Sequence, residues 1–294
     1  MVEKLTPSRV IFNIFNYGLM ILLSYAFLAP VWHVIMSSIS NPRSLLVSPG
    51  LLHRPVGAVT WDAYRIVLNN PSILIGFRNT IIYVIGMVVV AIPLLLIGGY
   101  VLSRNSGLRA PFTILVVFTM MFSGGLIPSF IINMQLGLVG NPLALIIPGS
   151  INGFFLIIMM NAFRGVPESL EESAKLDGAG HIIIILRIML PLVKSTIAVL
   201  VLFIVLGQWN SWMPAAIYLP RSREWWPLQM FMREILVQHD TRMVSPEEAA
   251  RMADLVQHII RYAVIVVGTF PIIVAYPFAQ KYFVKGVTLG SVKG

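Results

Sequence analysis

Cysteine is absent from the 294 residues, which excludes a disulfide framework, a thiolate nucleophile and any cysteine-ligated metal. Charge is scarce too: 11% of the residues are charged, against about a quarter in a soluble domain. Hydrophobic residues make up 57% and mean hydropathy is +0.84, a composition that suits lipid rather than water as solvent. The five histidines (His33, His53, His181, His239 and His258) are scattered, with no two at a metal-ligand spacing. No G-x-x-x-x-G-K-S/T phosphate loop occurs, and no nucleophile is paired with a base. We therefore expect no catalytic residue, bound cofactor or metal in this chain.

What is present is a series of long apolar runs. A hydrocarbon core about 30 Å thick takes roughly 20 helical residues. Six stretches qualify, approximately Ile11–Ile35, Thr80–Leu102, Phe112–Ile132, Leu143–Phe163, Leu192–Tyr218 and Arg261–Phe278. The expected fold class is an all-α integral membrane protein of about six transmembrane helices. The first run is too long for a signal-peptide core and has no small-x-small cleavage site after it, so it reads as a retained span.

Six spans leave both termini on one side. Lys4, Lys175, Lys194, Lys281, Lys285 and Lys293 then share that side with Arg9, Arg104, Arg109, Arg164 and Arg187, which makes it cytoplasmic by the positive-inside rule. The net charge of +9 and pI near 10.0 reflect contact with anionic lipid headgroups in this reading, and not nucleic acid. The expected organisation is a cytoplasmic N-terminus (1–10), a six-span membrane domain (11–278) with a cytoplasmic loop at 164–191, and a cytoplasmic tail (279–294). Of the outer loops, that near Arg221–Ile260 carries a Ser245-Pro246 helix start and an amphipathic stretch from Pro246 to Val256. It reads equally as a solvated connector and as a docking surface for an external partner.

No span carries Asp or Glu at its centre, and Lys194 lies at the cytoplasmic mouth of the fifth. Ion-coupled carriers place ionisable groups at mid-depth, so uphill transport by this chain would draw its energy from a partner.

The informative segment is the loop between the fourth and fifth spans. It runs from Pro167 through Glu168, Glu171, Glu172, Ser173, Ala174, Lys175, Leu176, Asp177, Gly178, Ala179 and Gly180 to Ile188-Met189-Leu190-Pro191. Pro167 suits a first helical position, and the glutamates complement the positive end of the helix dipole. Leu170, Ala174 and Leu176 can pack inward, and Gly178 suits a left-handed helix stop. The small residues leave room for another protein surface.

This segment resembles the E-A-A-x-x-x-G…I-x-L-P loop of binding-protein-dependent ABC importer permeases, with Glu172-Ser173-Ala174 in the E-A-A place and Ser173 departing from the commoner alanine. Phe122-Ser123-Gly124-Gly125-Leu126-Ile127-Pro128, Leu136-Gly137-Leu138, Gln208-Trp209-Asn210-Ser211-Trp212 and the tail from Gln280 to Gly294 resemble the carbohydrate branch, the tail being similar to that of maltose-type inner subunits. The resemblance implies a type I ABC importer permease fold in the bacterial inner membrane. It implies a heterodimer with a second permease, two ATPase subunits that use ATP and Mg, and an extracytoplasmic solute-binding protein. Glu171, Glu172, Ser173, Ala174, Asp177, Gly178 and Ala179 would form the ATPase-coupling site, with Glu171, Glu172 and Asp177 as polar docking contacts.

The same branch includes systems for oligosaccharides such as alginate or pectin fragments. Ten outward arginines suit an acidic glycan, although outer-loop acids offset many of them. Trp209, Asn210 and Trp212 are candidates for the substrate path, because indole faces stack on sugar rings and amides bond hydroxyls. A tryptophan belt at the membrane interface accounts for Trp212 equally well. Gly124 and Gly125, with Pro128, would distort the third span at a transport site, or serve close helix packing. The competing readings are an ABC permease for a non-sugar cargo and a stand-alone carrier or channel.

Overall fold

The computed structural model describes residues 6–105, 107, 109–237 and 259–277. All regular elements among them are helical. The chain divides into two compact units, one formed by Met1–Pro71 with Glu234–Thr269 and the other by Ser72–Arg233 with Phe270–Gly294.

In the first unit, helix α1 (Pro7–Ser38) begins with proline at its first turn and carries Pro30 inside. Only 11% of its most apolar window is buried within the protein, as expected of a helix that meets lipid. Its far end is capped by the loop that follows. Ser40 Oγ donates to Met36 O at 2.7 Å and accepts from Val56 N at 3.0 Å, and Trp32 Nε1 donates to His53 O at 2.9 Å. Leu52 N donates to His33 Nδ1, and the His33 ring meets Tyr262 edge-on. Two short helices, α2 (Pro42–Leu46) and α3 (Asp62–Leu68), complete this loop.

The second unit is built around α4 (Pro71–Ser103), a 33-residue helix that carries Pro93. Helix α5 (Arg109–Met121) is followed by α6 (Leu126–Gln135) at a bend of 115°. Gly125 makes that corner with φ +84°, a value that side-chain-bearing residues rarely adopt. The third expected span, Phe112–Ile132, is therefore a broken helix pair. The fourth, Leu143–Phe163, is a 3₁₀ turn at Pro142–Leu145 and then α7 (Gly153–Arg164), with Asn152 capping Phe154 N and Phe155 N.

Helix α8 (Glu168–Leu176) leads to α9 (His181–Leu192), which contains a π-helical stretch. After a bend of 85° the chain enters α10 (Lys194–Trp209), and the short α11 (Met213–Tyr218) ends the fifth apolar region. Helix α12 is Leu228–Val237 and α13 is Ile259–Pro277. Among the described residues three helices, α1, α4 and α13, are long and apolar enough to cross a membrane, and up to five spans result when each bent pair counts as one. Helix α7 is the shorter sixth apolar element. The six expected stretches thus all contain helix, and the third, fourth and fifth are interrupted, the third at the Gly124-Gly125 distortion expected there. Pro128, Pro148 and Pro214, with the glycines before Leu126, explain the interruptions, since each proline removes a backbone donor.

The core of the second unit joins Met87, Leu95 and Tyr100 of α4 to Met159 and Phe163 of α7, Ile184 and Met189 of α9, and Leu200 of α10. At the other end of α4, Asn79 Nδ2 donates to Glu224 O at 2.8 Å and Trp226 O at 3.0 Å, and the Tyr83 hydroxyl donates to Trp225 O. The start of the Arg221–Ile260 loop is therefore tied down rather than free. The Pro246–Val256 stretch and the Gln280–Gly294 tail lie outside the described residues.

Candidate functional site

Helix α8 starts at Glu168, one residue later than expected, with Pro167 at the cap. Its end is a Schellman stop: Ala179 N donates to Ala174 O at 2.9 Å, Gly178 N donates to Lys175 O at 3.0 Å, and Gly178 has φ +81°. A Cβ at Gly178 would meet nothing within 4 Å, so glycine is required there by backbone strain and not by space.

The face of α8 that turns inward differs from the expectation. Leu176 is 89% exposed and Leu170 is 44% exposed, while Ala174 packs into the core and Glu171 is 3% exposed. A carboxylate takes the inward place because cationic and hydroxyl groups wait beneath it. Tyr100 Oη donates to Glu171 Oε1 at 2.8 Å, Arg104 Nη1 lies 2.7 Å from Oε2, and Lys175 Nζ lies 2.9 Å from Oε1. The Arg104 guanidinium also sits 4.7 Å over the Tyr100 ring, and His181 Nδ1 lies 3.1 Å from the Tyr100 hydroxyl. Burial alone would raise the Glu171 carboxyl. Hydrogen bonds from Lys175 and Tyr100 and the charge of Arg104 outweigh it and hold the group below its ordinary value.

Glu171 is thus an internal tie between α8 and the end of α4, and not the exposed polar contact expected for it. Glu172, Ser173 and Asp177 do face outward, and Ala179 is half-buried against the core. Leu170 and Leu176 are thus exposed on the same short helix as Glu172 and Asp177.

The candidates for the substrate path do not converge. Trp209 is buried and its ring meets Phe77 at 6.2 Å. Trp212 lies 4.2 Å beneath the Arg233 guanidinium, and Asn210 Nδ2 donates to Leu206 O. Gly124 and Gly125 form the exposed corner between α5 and α6. Their neighbours Gln208 and Ser211 instead line an open cleft of about 740 Å³, with Ser129, Asn133, Asn152, Phe155, Phe203 and Tyr218. That volume is in the range of small-molecule sites. The sequence offered a weak signal for this cleft, since Gln208 and Ser211 belong to the same segment as the tryptophans. Which of the five consecutive residues face it depends on where α10 ends.

Broken apolar helices around a cleft are the architecture of a membrane transport subunit. The profile described as binding-protein-dependent transport system inner membrane component matches residues 73–289. The chain is 37% identical over 285 residues to the Bacillus subtilis polygalacturonan/rhamnogalacturonan transport system permease protein YtcP, covering 97% of this chain and 99% of that one. It is 41% identical over 243 residues to the B. subtilis protein LplC, covering 80% and 79%. In structure it is similar to a chain of a bacterial ABC transporter involved in the import of the acidic polysaccharide alginate, with TM-score 0.87, 30% identity, and 96% and 100% of the chains covered. The chain belongs to the family of binding-protein-dependent transport system inner membrane components, and it is a permease subunit of the ABC importer class with the type I permease fold.

Proposed function

We propose that this subunit forms half of the membrane pathway of an ATP-driven importer in the bacterial inner membrane, and that its cargo is an oligosaccharide rich in uronic acid. The other half is a second, homologous permease, and an extracytoplasmic binding protein delivers the sugar. Both termini and the Glu168–Ala179 loop face the cytoplasm. There α8 seats in a groove of one of two ATPase subunits, which bind ATP and Mg. Glu172 and Asp177 supply polar contacts on the docking surface, and Leu170 and Leu176 supply apolar ones. Closure of the ATPases on ATP moves α8. The Glu171–Arg104–Tyr100 tie passes that motion to the base of α4, so that the pathway alternates between inward-open and outward-open states.

The observation that carries the cargo assignment is the 37% identity along nearly the whole length of a permease for pectic polysaccharide. Likeness to a chain of an alginate importer adds to it, because both named polymers are acidic glycans. The test is to tag this chain, extract it in mild detergent and identify its stoichiometric partners. A second permease and an ATPase are expected, with ATP-dependent uptake of oligogalacturonides after reconstitution with the binding protein. A folded chain that purifies alone, or a complex that imports only neutral sugars, would overturn the corresponding half of the proposal.

A further inference from the structure

The cleft lined by α6, α7, α10 and α11 has a hydrogen-bonding character that can be read atom by atom. Asn133 Nδ2 donates to Ser129 O at 2.8 Å and to Tyr218 Oη at 3.0 Å. Gln208 Nε2 donates to Leu145 O at 3.1 Å. Because two of those partners are carbonyl oxygens, the amide nitrogens must face them, which orients both side chains. Among the described residues, the amide oxygens of Asn133 and Gln208 have no hydrogen-bond partner, and neither has the Ser211 hydroxyl. Tyr218 already accepts from Asn133, so its own hydrogen is free to be donated.

Asn152 uses its oxygen to cap α7 at Phe154 N and Phe155 N. Its amide hydrogens remain free, while two of the helix's first N–H groups are already taken. No Asp, Glu, Lys, Arg or His occurs among the described lining residues. The rings of Phe155 and Phe203 stack at 6.2 Å and 17°, and Tyr218 stacks on Phe130.

We propose that this cleft is a glycan subsite that recognises ring hydroxyls and the C–H face of a pyranose, and does not recognise the carboxylate of a uronic acid. The free amide oxygens of Asn133 and Gln208 accept only and so repel a carboxylate. The donors of Tyr218, Asn152 and Ser211 are neutral and serve a hydroxyl as well as they would a carboxylate. A sugar hydroxyl donates to Asn133 or Gln208 while accepting from Tyr218 or Asn152, and the aromatic faces suit its C–H side. At membrane depth a carboxylate needs a compensating cation, and the described lining supplies none. The acid groups of the cargo therefore travel on another side of the pathway, and selection for acidity is made elsewhere. A polar occupant fits this wall better than a lipid tail or an apolar helix, since either would leave those oxygens unpaired. The identity of the sugar rests on the cargo reading above; the hydroxyl chemistry of the cleft does not.

The test uses the complete reconstituted complex with oligogalacturonides and their methyl esters. Gln208→Ala is expected to raise the half-saturating concentration for uptake of both by a similar factor, about three- to tenfold. Gly207→Leu fills the cleft from a position where an added Cβ meets nothing within 4 Å, and it should lower uptake of both. Because the chain lacks cysteine, Ser211→Cys gives one thiol whose modification can be read on this chain by mass. Either sugar should slow that modification.

An effect of Gln208→Ala on the acid but not its ester would show that the carboxylate is read here, and would overturn the proposal. Loss of the second permease from the Gly207→Leu complex, with no protection of the thiol, would make the cleft a subunit interface and would also overturn it. If the unaltered complex imports no oligogalacturonide, the cargo reading fails by itself. Protection of the thiol by neutral oligosaccharides then still supports the subsite, and its absence overturns it.

Discussion

Glu171 illustrates how one side chain changes role when its surroundings are known. Its carboxylate is 3% exposed and meets Tyr100, Arg104 and Lys175. Glu171→Ala would leave Arg104 half-buried without its counter-ion, and is expected to weaken the seat of α8 by about 3–5 kcal/mol. Hydrogen exchange over Glu168–Leu176 would measure this as lost protection, and unchanged exchange would refute the tie. The sign of the pH effect follows from the direction of the shift. The carboxyl is held below its ordinary value, so its contribution is fully present above that value and is lost as pH falls through the depressed one. Protection of α8 should therefore persist from neutral pH down to the ordinary carboxylate range near 4.3 and fall away below it. A loss centred near neutral pH would point to another group. Gly178→Val forces a β-branched residue to φ +81°, and should let the ATPase turn over without uptake. Equal uptake in the two proteins would remove the loop from coupling.

At the scale of elements, breaks matter more than helices. The 115° corner between α5 and α6 and the end of α10 at Trp209 open the space that Gln208 and Ser211 line. Gly125→Ala would oppose φ +84°, ψ 179° at that corner by about 1–3 kcal/mol and is expected to slow uptake while leaving ATP binding unaltered. Trp209 has the composition of a sugar platform but packs on Phe77 inside the helical layer. Trp209→Ala should therefore cost about 3–5 kcal/mol of stability, read as a fall in melting temperature. The half-saturating sugar concentration of the surviving complex should hardly move, and a rise in it would return this indole to the pathway.

The whole molecule is a membrane subunit whose two sides are proposed to meet different partners. Its lack of cysteine makes the orientation directly measurable. Val47→Cys, at an 80% exposed position, should react with a membrane-impermeant thiol reagent in intact cells. Ser169→Cys, in α8, should react only after permeabilisation. The reverse pattern would invert the proposed topology.

The sequence by itself determined that this chain lives in lipid and which apolar stretches turn helical, and it marked the Glu171–Gly178 loop as the segment proposed to meet a partner. Apolar length, the glycine stop and the motif are properties of neighbouring residues, so they survive in one dimension. The tertiary structure decided which side of each helix does what. It turned Glu171 inward and Leu176 outward, buried Trp209, and brought Asn133, Gln208 and Tyr218 to one cleft. For Trp209 and the cleft residues, helical periodicity cannot make those choices, because lipid and protein interior are nearly equally apolar and no hydrophobic gradient marks the inner face. For α8, outside the spans, the buried Tyr100 and half-buried Arg104 override it. The polar groups that lie beneath each helix make them instead, and those groups come from distant parts of the chain.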